Sequence, residues 1–145
     1  MANAIDLIRS AHLSSIAEYA YASTVPSGMR FIFLAGSCPL NEDGTTAGVG
    51  DYRLQADKAI ENMVVALEAA GAGIEDVVAT RVLVASTERE DLVCAWNVVR
   101  EAFGDHDVPS TLLGVTVLGY PDQLVEIEAT AAVHDKKGYE GPEGR

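Results

Sequence analysis

The segment Val77–Ala85 reads Val-Val-Ala-Thr-Arg-Val-Leu-Val-Ala, a β-branched run that is apolar on both sides of any strand it could form. Strict alternation sets Val78, Val82 and Val84 on one face and Val77 and Leu83 on the other, and Leu112–Leu118 is similarly two-faced. Strands of this kind belong in a sheet covered on both sides. The chain must therefore supply two covering layers or borrow one.

It supplies one. Ala56, Ile60, Met63, Val64, Leu67 and Ala70 recur at helical period, with Gly50 or Asp51 available to cap the start and Gly71 to stop the helix. Thr87 and Glu90 have capping-box spacing ahead of a second stripe, Leu92, Ala95, Trp96, Val99 and Phe103, which ends at Gly104. Trp96 sits in that stripe as a core residue. Further period-2 or short β-branched runs at Tyr19–Thr24, Arg30–Ala35 and Leu124–Val133 complete a β, β, α, β, α, β, β order. In the last strand Val125, Ile127, Ala129 and Ala131 share one face, and Glu126, Glu128 and Thr130 the other. The predicted fold class is α+β: a single domain over residues 1–134, one mixed sheet with two helices packed on one face, and a flexible tail over 135–145. With no third layer in the sequence, the second sheet face is expected to be covered by further copies of the chain.

Composition narrows the function. With 22 acidic and 10 basic residues in 145 the net charge is −12, which works against nucleic-acid binding, since that requires Lys and Arg gathered along a phosphate track. No apolar stretch is long enough to span a membrane and the N-terminus lacks a secretory pattern, so a cytoplasmic protein with no membrane partner is expected. Cys38 and Cys94, like His12, His106 and His134, are scattered without ligand spacing, and neither a metal nor another cofactor is expected. Cys38 has no basic neighbour in sequence to make it a reactive thiolate.

No single catalytic motif is present; a distributed pattern is. It comprises Ala17-Glu18-Tyr19, Leu34-Ala35-Gly36-Ser37-Cys38-Pro39, Gln55 and Asn62 seven apart on the first helix with Ala69-Ala70-Gly71 at its end, Asn97 before Glu101-Ala102-Phe103, Pro109-Ser110-Thr111, and Val125-Glu126-Ile127-Glu128-Ala129. From Ser15 to Val133 this set resembles the Rid family, the RidA or YjgF group whose members include 2-imino and enamine acid deaminases. The resemblance implies a chorismate-mutase-like fold and a homotrimer whose sheets form a central barrel with three inter-subunit clefts for a small-molecule ligand. It also implies site roles: Tyr19 and Asn97 as cleft residues, Gly36 as the strand-end glycine that lets a ligand approach, and Glu126 as the carboxylate that holds the attacking water. Three positions depart from the pattern. Thr111 stands where deaminase members carry a carboxylate-binding arginine, Ala35 where they carry serine, and Leu113 where cysteine is common, so a less anionic or larger apolar ligand is expected.

Arg81 on the third strand has three readings: an interface ion pair with Glu126 or Glu128, a solvated side chain, or a relocated grip on the ligand. Glu126 is either the water-orienting acid/base or half of that ion pair, and Glu128 leans towards structure. The functional expectation is hydrolysis or related processing of an imine- or enamine-type metabolite, with Thr111 donating to its polar end. The alternative is a non-catalytic Rid homologue that binds a small ligand in the same clefts. A ribonuclease activity, attached to the family as a label, is disfavoured by the charge.

Overall fold

A computed structural model describes residues 4–135 of the chain, and the expected tail beyond Asp135 lies outside the described residues. Six strands and two α-helices follow in the order β1 (Asp6–Ile8), β2 (Ala22–Thr24), β3 (Met29–Phe33), α1 (Tyr52–Ala69), β4 (Val77–Ala85), α2 (Arg89–Phe103), β5 (Ser110–Val115) and β6 (Val125–His134). The main sheet has the strand order β3-β6-β4-β5, antiparallel except for the β4–β5 pair, so it is mixed as expected. α1 lies over β6, and α2 over β4 and β5. Among the described residues, no helix is long and apolar enough to cross a membrane.

The helices begin and end for local reasons. Asp51 caps α1 by accepting the Leu54 N–H at 2.9 Å, and Gly71 beyond its end takes φ 85°. Ala56, Ala59, Met63 and Leu67 form its buried stripe, facing Ala95, Val99 and Phe103 of α2 and the inner face of the sheet. Trp96 packs on the edge of this core, partly buried. The start of α2 differs from the capping box expected at Thr87. The cap is Glu88, whose side chain makes no capping bond; Ser86 instead accepts the Glu88 N–H at 2.9 Å and donates to Asp91 at 2.7 Å.

The sheet corrects the sequence reading in three further places. The run expected as a strand from Tyr19 forms only at Ala22–Thr24 and pairs with β1 in a separate two-stranded ribbon, so it does not join the main sheet. The fourth expected strand, Leu112–Leu118, runs instead from Ser110 to Val115. In β4 the register steps from Val77↔Ala131 to Ala79↔Thr130, a bulge that adds one residue and flips the alternation. Val77 therefore lies with Val82 and Val84 under the helices, not opposite them. β6 alternates as anticipated: Val125, Ile127, Ala129 and Ala131 are buried, while Glu126, Glu128 and Thr130 look outward.

That outward face is open in the single chain. Phe31 and Phe33 on β3 are 48% and 79% exposed, with ring centroids 6.2 Å apart, and Leu83 and Leu113 lie in register across β4 and β5.

Candidate functional site

Two polar side chains of α1 hold the loops that converge on Glu126. Asn62 donates from Nδ2 to the carbonyls of Cys38 (2.8 Å) and Leu40 (2.9 Å), pinning the segment that follows β3. Gln55, fully buried, donates to the carbonyls of Gly48 (3.3 Å) and Asp122 (2.8 Å) and accepts the Leu124 N–H at 2.7 Å. The apolar isostere Gln55→Leu leaves those three backbone groups without their partner and is expected to destabilise the fold by about 2–4 kcal/mol. Chemical denaturation checks this; an unchanged midpoint would remove Gln55 as the tie between the two loops.

Glu126 is half-buried on β6, and its two carboxylate oxygens have different surroundings. Oε1 accepts two hydrogen bonds, from the Cys38 thiol at 3.1 Å and from Gln123 Nε2 at 3.1 Å. Oε2 lies over Gly36, only 2.4 Å from where a Cβ on that residue would stand. With the carboxylate in this position there is no room for a Cβ on residue 36. Ser37, between Gly36 and Cys38, bridges to Ile127, exchanging backbone bonds at 2.7 and 3.0 Å, so the strand-end segment is stitched directly to the catalytic-candidate strand.

Burial pushes the Cys38 thiol up to about 11, with the hydrogen bond to Glu126 and the carboxylate charge adding to the effect, and the Gln123 hydrogen bond working the other way. At neutral pH Cys38 is a protonated donor, not a thiolate nucleophile, in keeping with the absence of a basic neighbour in its sequence.

Beside Glu126 the register lays out two rows across the open face. Leu113, Leu83 and Glu126 form one, and Thr111, Arg81 and Glu128 the other. Arg81 pairs with Glu128 at 3.4 Å, with both side chains about half exposed, so the pair is a weak surface contact in the single chain. Of the sequence-derived candidates, Gly36 and Glu126 are in direct apposition, and Arg81 and Thr111 share their sheet face.

Tyr19 and Asn97 lie elsewhere. Tyr19 packs edge-on against Tyr21 and Trp96, with centroids at 5.8 and 6.2 Å, and helps line a cavity of about 350 Å³ with Arg9 and Ser14. Asn97 is on the exposed side of α2, in a groove of about 600 Å³ shared with Arg53, Asp57 and Cys94. Within one chain neither joins Glu126. Gln123 is the residue that sequence reasoning missed; a lone glutamine ahead of an apolar strand carries no signal of the hydrogen bond it makes. Among the described residues, no group of three or more His, Cys, Asp or Glu is placed to hold a metal ion.

The family model described as Endoribonuclease L-PSP matches residues 10–133. A RutC family protein of Pyrococcus abyssi is 33% identical over 111 residues, 77% of this chain and 84% of that protein. Among solved structures, YyfB of Yersinia pestis, described as a protein of unknown function of the conserved Rid family, matches with TM-score 0.82 at 28% identity, covering 90% of this chain and 99% of that one. The YjgF gene product of E. coli matches with TM-score 0.60 at 27% identity, covering 81% and 89% respectively.

Proposed function

The chain belongs to the Endoribonuclease L-PSP family, the Rid or YjgF group, and on that footing we propose that it hydrolyses a small imine- or enamine-type metabolite with Glu126 as the catalytic base. The observation that carries this reading is the asymmetry of the carboxylate: among the described residues Oε1 is held by two donors, while Oε2, packed against Gly36, has none. A water beside Oε2 gives up a proton to it as the water oxygen adds to the imine carbon. The nitrogen takes that proton back, completing a neutral carbinolamine; Glu126 then moves the carbinol O–H proton to the nitrogen, which leaves as ammonia as the carbonyl forms. Water is consumed, and no redox partner is required.

The grip on the ligand falls to Thr111 and Arg81, which share the sheet face with Glu126. Arg81 is bound to Glu128 only weakly and can turn its guanidinium to an anionic group on the ligand. The assembly in this reading is a homotrimer that covers the open face bearing Phe31, Phe33, Leu83 and Leu113, with ligand clefts at the subunit junctions. Tyr19 and Asn97 take part only where a neighbouring subunit brings them to a cleft. The family description names an endoribonuclease; a net charge of −12 argues against phosphate tracking in this member.

The test generates 2-imino acids in place with an amino-acid oxidase and follows ammonia release by the wild type and by Thr111→Arg. The expected result is that both are active and that Thr111→Arg, with a bidentate carboxylate grip, has a KM about tenfold lower. An inert wild type beside an active Thr111→Arg would move the substrate class away from amino-acid imines. Binding of an imine analogue with no turnover by either protein would favour a ligand-binding role.

A further inference from the structure

Oxygens of an aligned but unconstrained carboxylate exchange by rotation about the terminal torsion, which has a broad, two-fold profile. Two independent anchors oppose that rotation in Glu126. We propose that Cys38 and Gln123 are positioning residues that lock Glu126 Oε1 and thereby present Oε2 as the single oxygen that meets water; this rests on the hydrolytic reading above.

Each anchor is itself fixed. Gln123 is 4% exposed, and all the hydrogen bonds of its amide are directed: the carbonyl accepts the Tyr120 N–H at 3.0 Å, and Nε2 donates to the Val125 carbonyl and to Glu126 Oε1, both at 3.1 Å. A flipped amide would set its oxygen against two acceptors, so the network dictates one orientation. Cys38 is held through its backbone by Asn62 and followed by the buried Pro39. Its single thiol proton has two acceptors in range, Glu126 Oε1 at 3.1 Å and the Gly36 carbonyl at 3.5 Å, and the nearer, charged one takes it. The raised thiol, near 11, keeps that proton in place throughout the neutral range. Gly36 completes the arrangement by letting Oε2 pack against its backbone, and no described residue donates to Oε2, so the anchored oxygen and the unanchored one are distinct.

The test has two arms. In the first, steady-state kinetics compare Cys38→Ala, Cys38→Ser and Gln123→Met. The Ala and Met variants are expected to lose about tenfold in kcat with KM within twofold, and Cys38→Ser, which keeps a donor, to recover most of the loss. Wild-type kcat in both the Ala and Met variants would overturn the proposal. The second arm needs no turnover: in a Cys94→Ser background, the rate of Cys38 alkylation by iodoacetamide is followed against pH. Glu126→Gln removes the carboxylate charge and is expected to bring the midpoint down from about 11, with burial, the largest cause, still holding it above the ordinary 9.0. An unmoved midpoint would show that the thiol does not address Glu126 and would overturn the proposal whatever the kinetics. A midpoint that moves in a protein that releases no ammonia supports the clamp and rejects the hydrolytic reading instead.

Discussion

Glu126→Gln is expected to lower kcat for imine hydrolysis by about 10²–10⁴-fold, the usual cost of removing a general base. The substitution is close to isosteric: the glutamine carbonyl can still accept from Cys38 and Gln123, so the contacts that hold Oε1 survive in kind. What disappears is the basic oxygen over Gly36. Because the side chain is only half-buried and takes no part in the apolar core, the thermal midpoint should stay within a few degrees of wild type. A variant with full activity would show that Glu126 is an outward-facing structural residue. A variant that lost activity only by unfolding would leave the base unidentified.

Gly36→Ala separates site from fold by a different route. An added Cβ would meet Glu126 Oε2 at 2.4 Å, Cδ at 2.8 Å and Cγ at 3.1 Å. All three atoms belong to one flexible side chain, so the clash is relieved by swinging the carboxylate aside while the backbone stays where it is. Stability should fall by less than about 1 kcal/mol, whereas a displacement of this size at the reacting group is expected to cost about 10²-fold in kcat. Thermal denaturation and ammonia release on the same preparation check both halves. An active Gly36→Ala would mean that the orientation of Oε2 is not part of the chemistry.

Several elements were legible from residues alone because one strong periodicity carried each. The Val125–Ala131 alternation predicted which carboxylates leave the core, since β6 has the helices on one face only. Gly71 and Gly104 marked helix ends because both take positive φ, at 85° and 55°. The failures were equally specific. β1, Asp6–Ile8, has three residues and one half-buried side chain, too short to display a period, and it drew β2 out of the main sheet. The bulge between Val77 and Ala79 is invisible to an alternation count, which assumes two residues per repeat without exception. The cap of α2 moved because Ser86 reaches the backbone before Thr87 does.

The site divides in the same way. Glu126 and Gly36 stood out through family resemblance, and Arg81, Thr111 and Glu128 became one row only once the β4 registers were known. The Cys38–Glu126 contact spans 88 positions and depends on Asn62 and Gln55 of a separate helix to hold both loops. No local pattern encodes such a convergence. Tyr19 and Asn97, which resemblance assigned to the cleft, stand on α2 and its flank, away from the sheet face that bears Glu126.

The most direct measurement is the rate of ammonia release from 2-imino acids generated in place, at increasing concentrations of wild-type protein, with Glu126→Gln as the matched blank. The account predicts a rate that rises in proportion to wild-type protein and stays at the spontaneous value with the variant. A wild-type rate equal to spontaneous hydrolysis at every concentration, or an equal acceleration by Glu126→Gln, would contradict it.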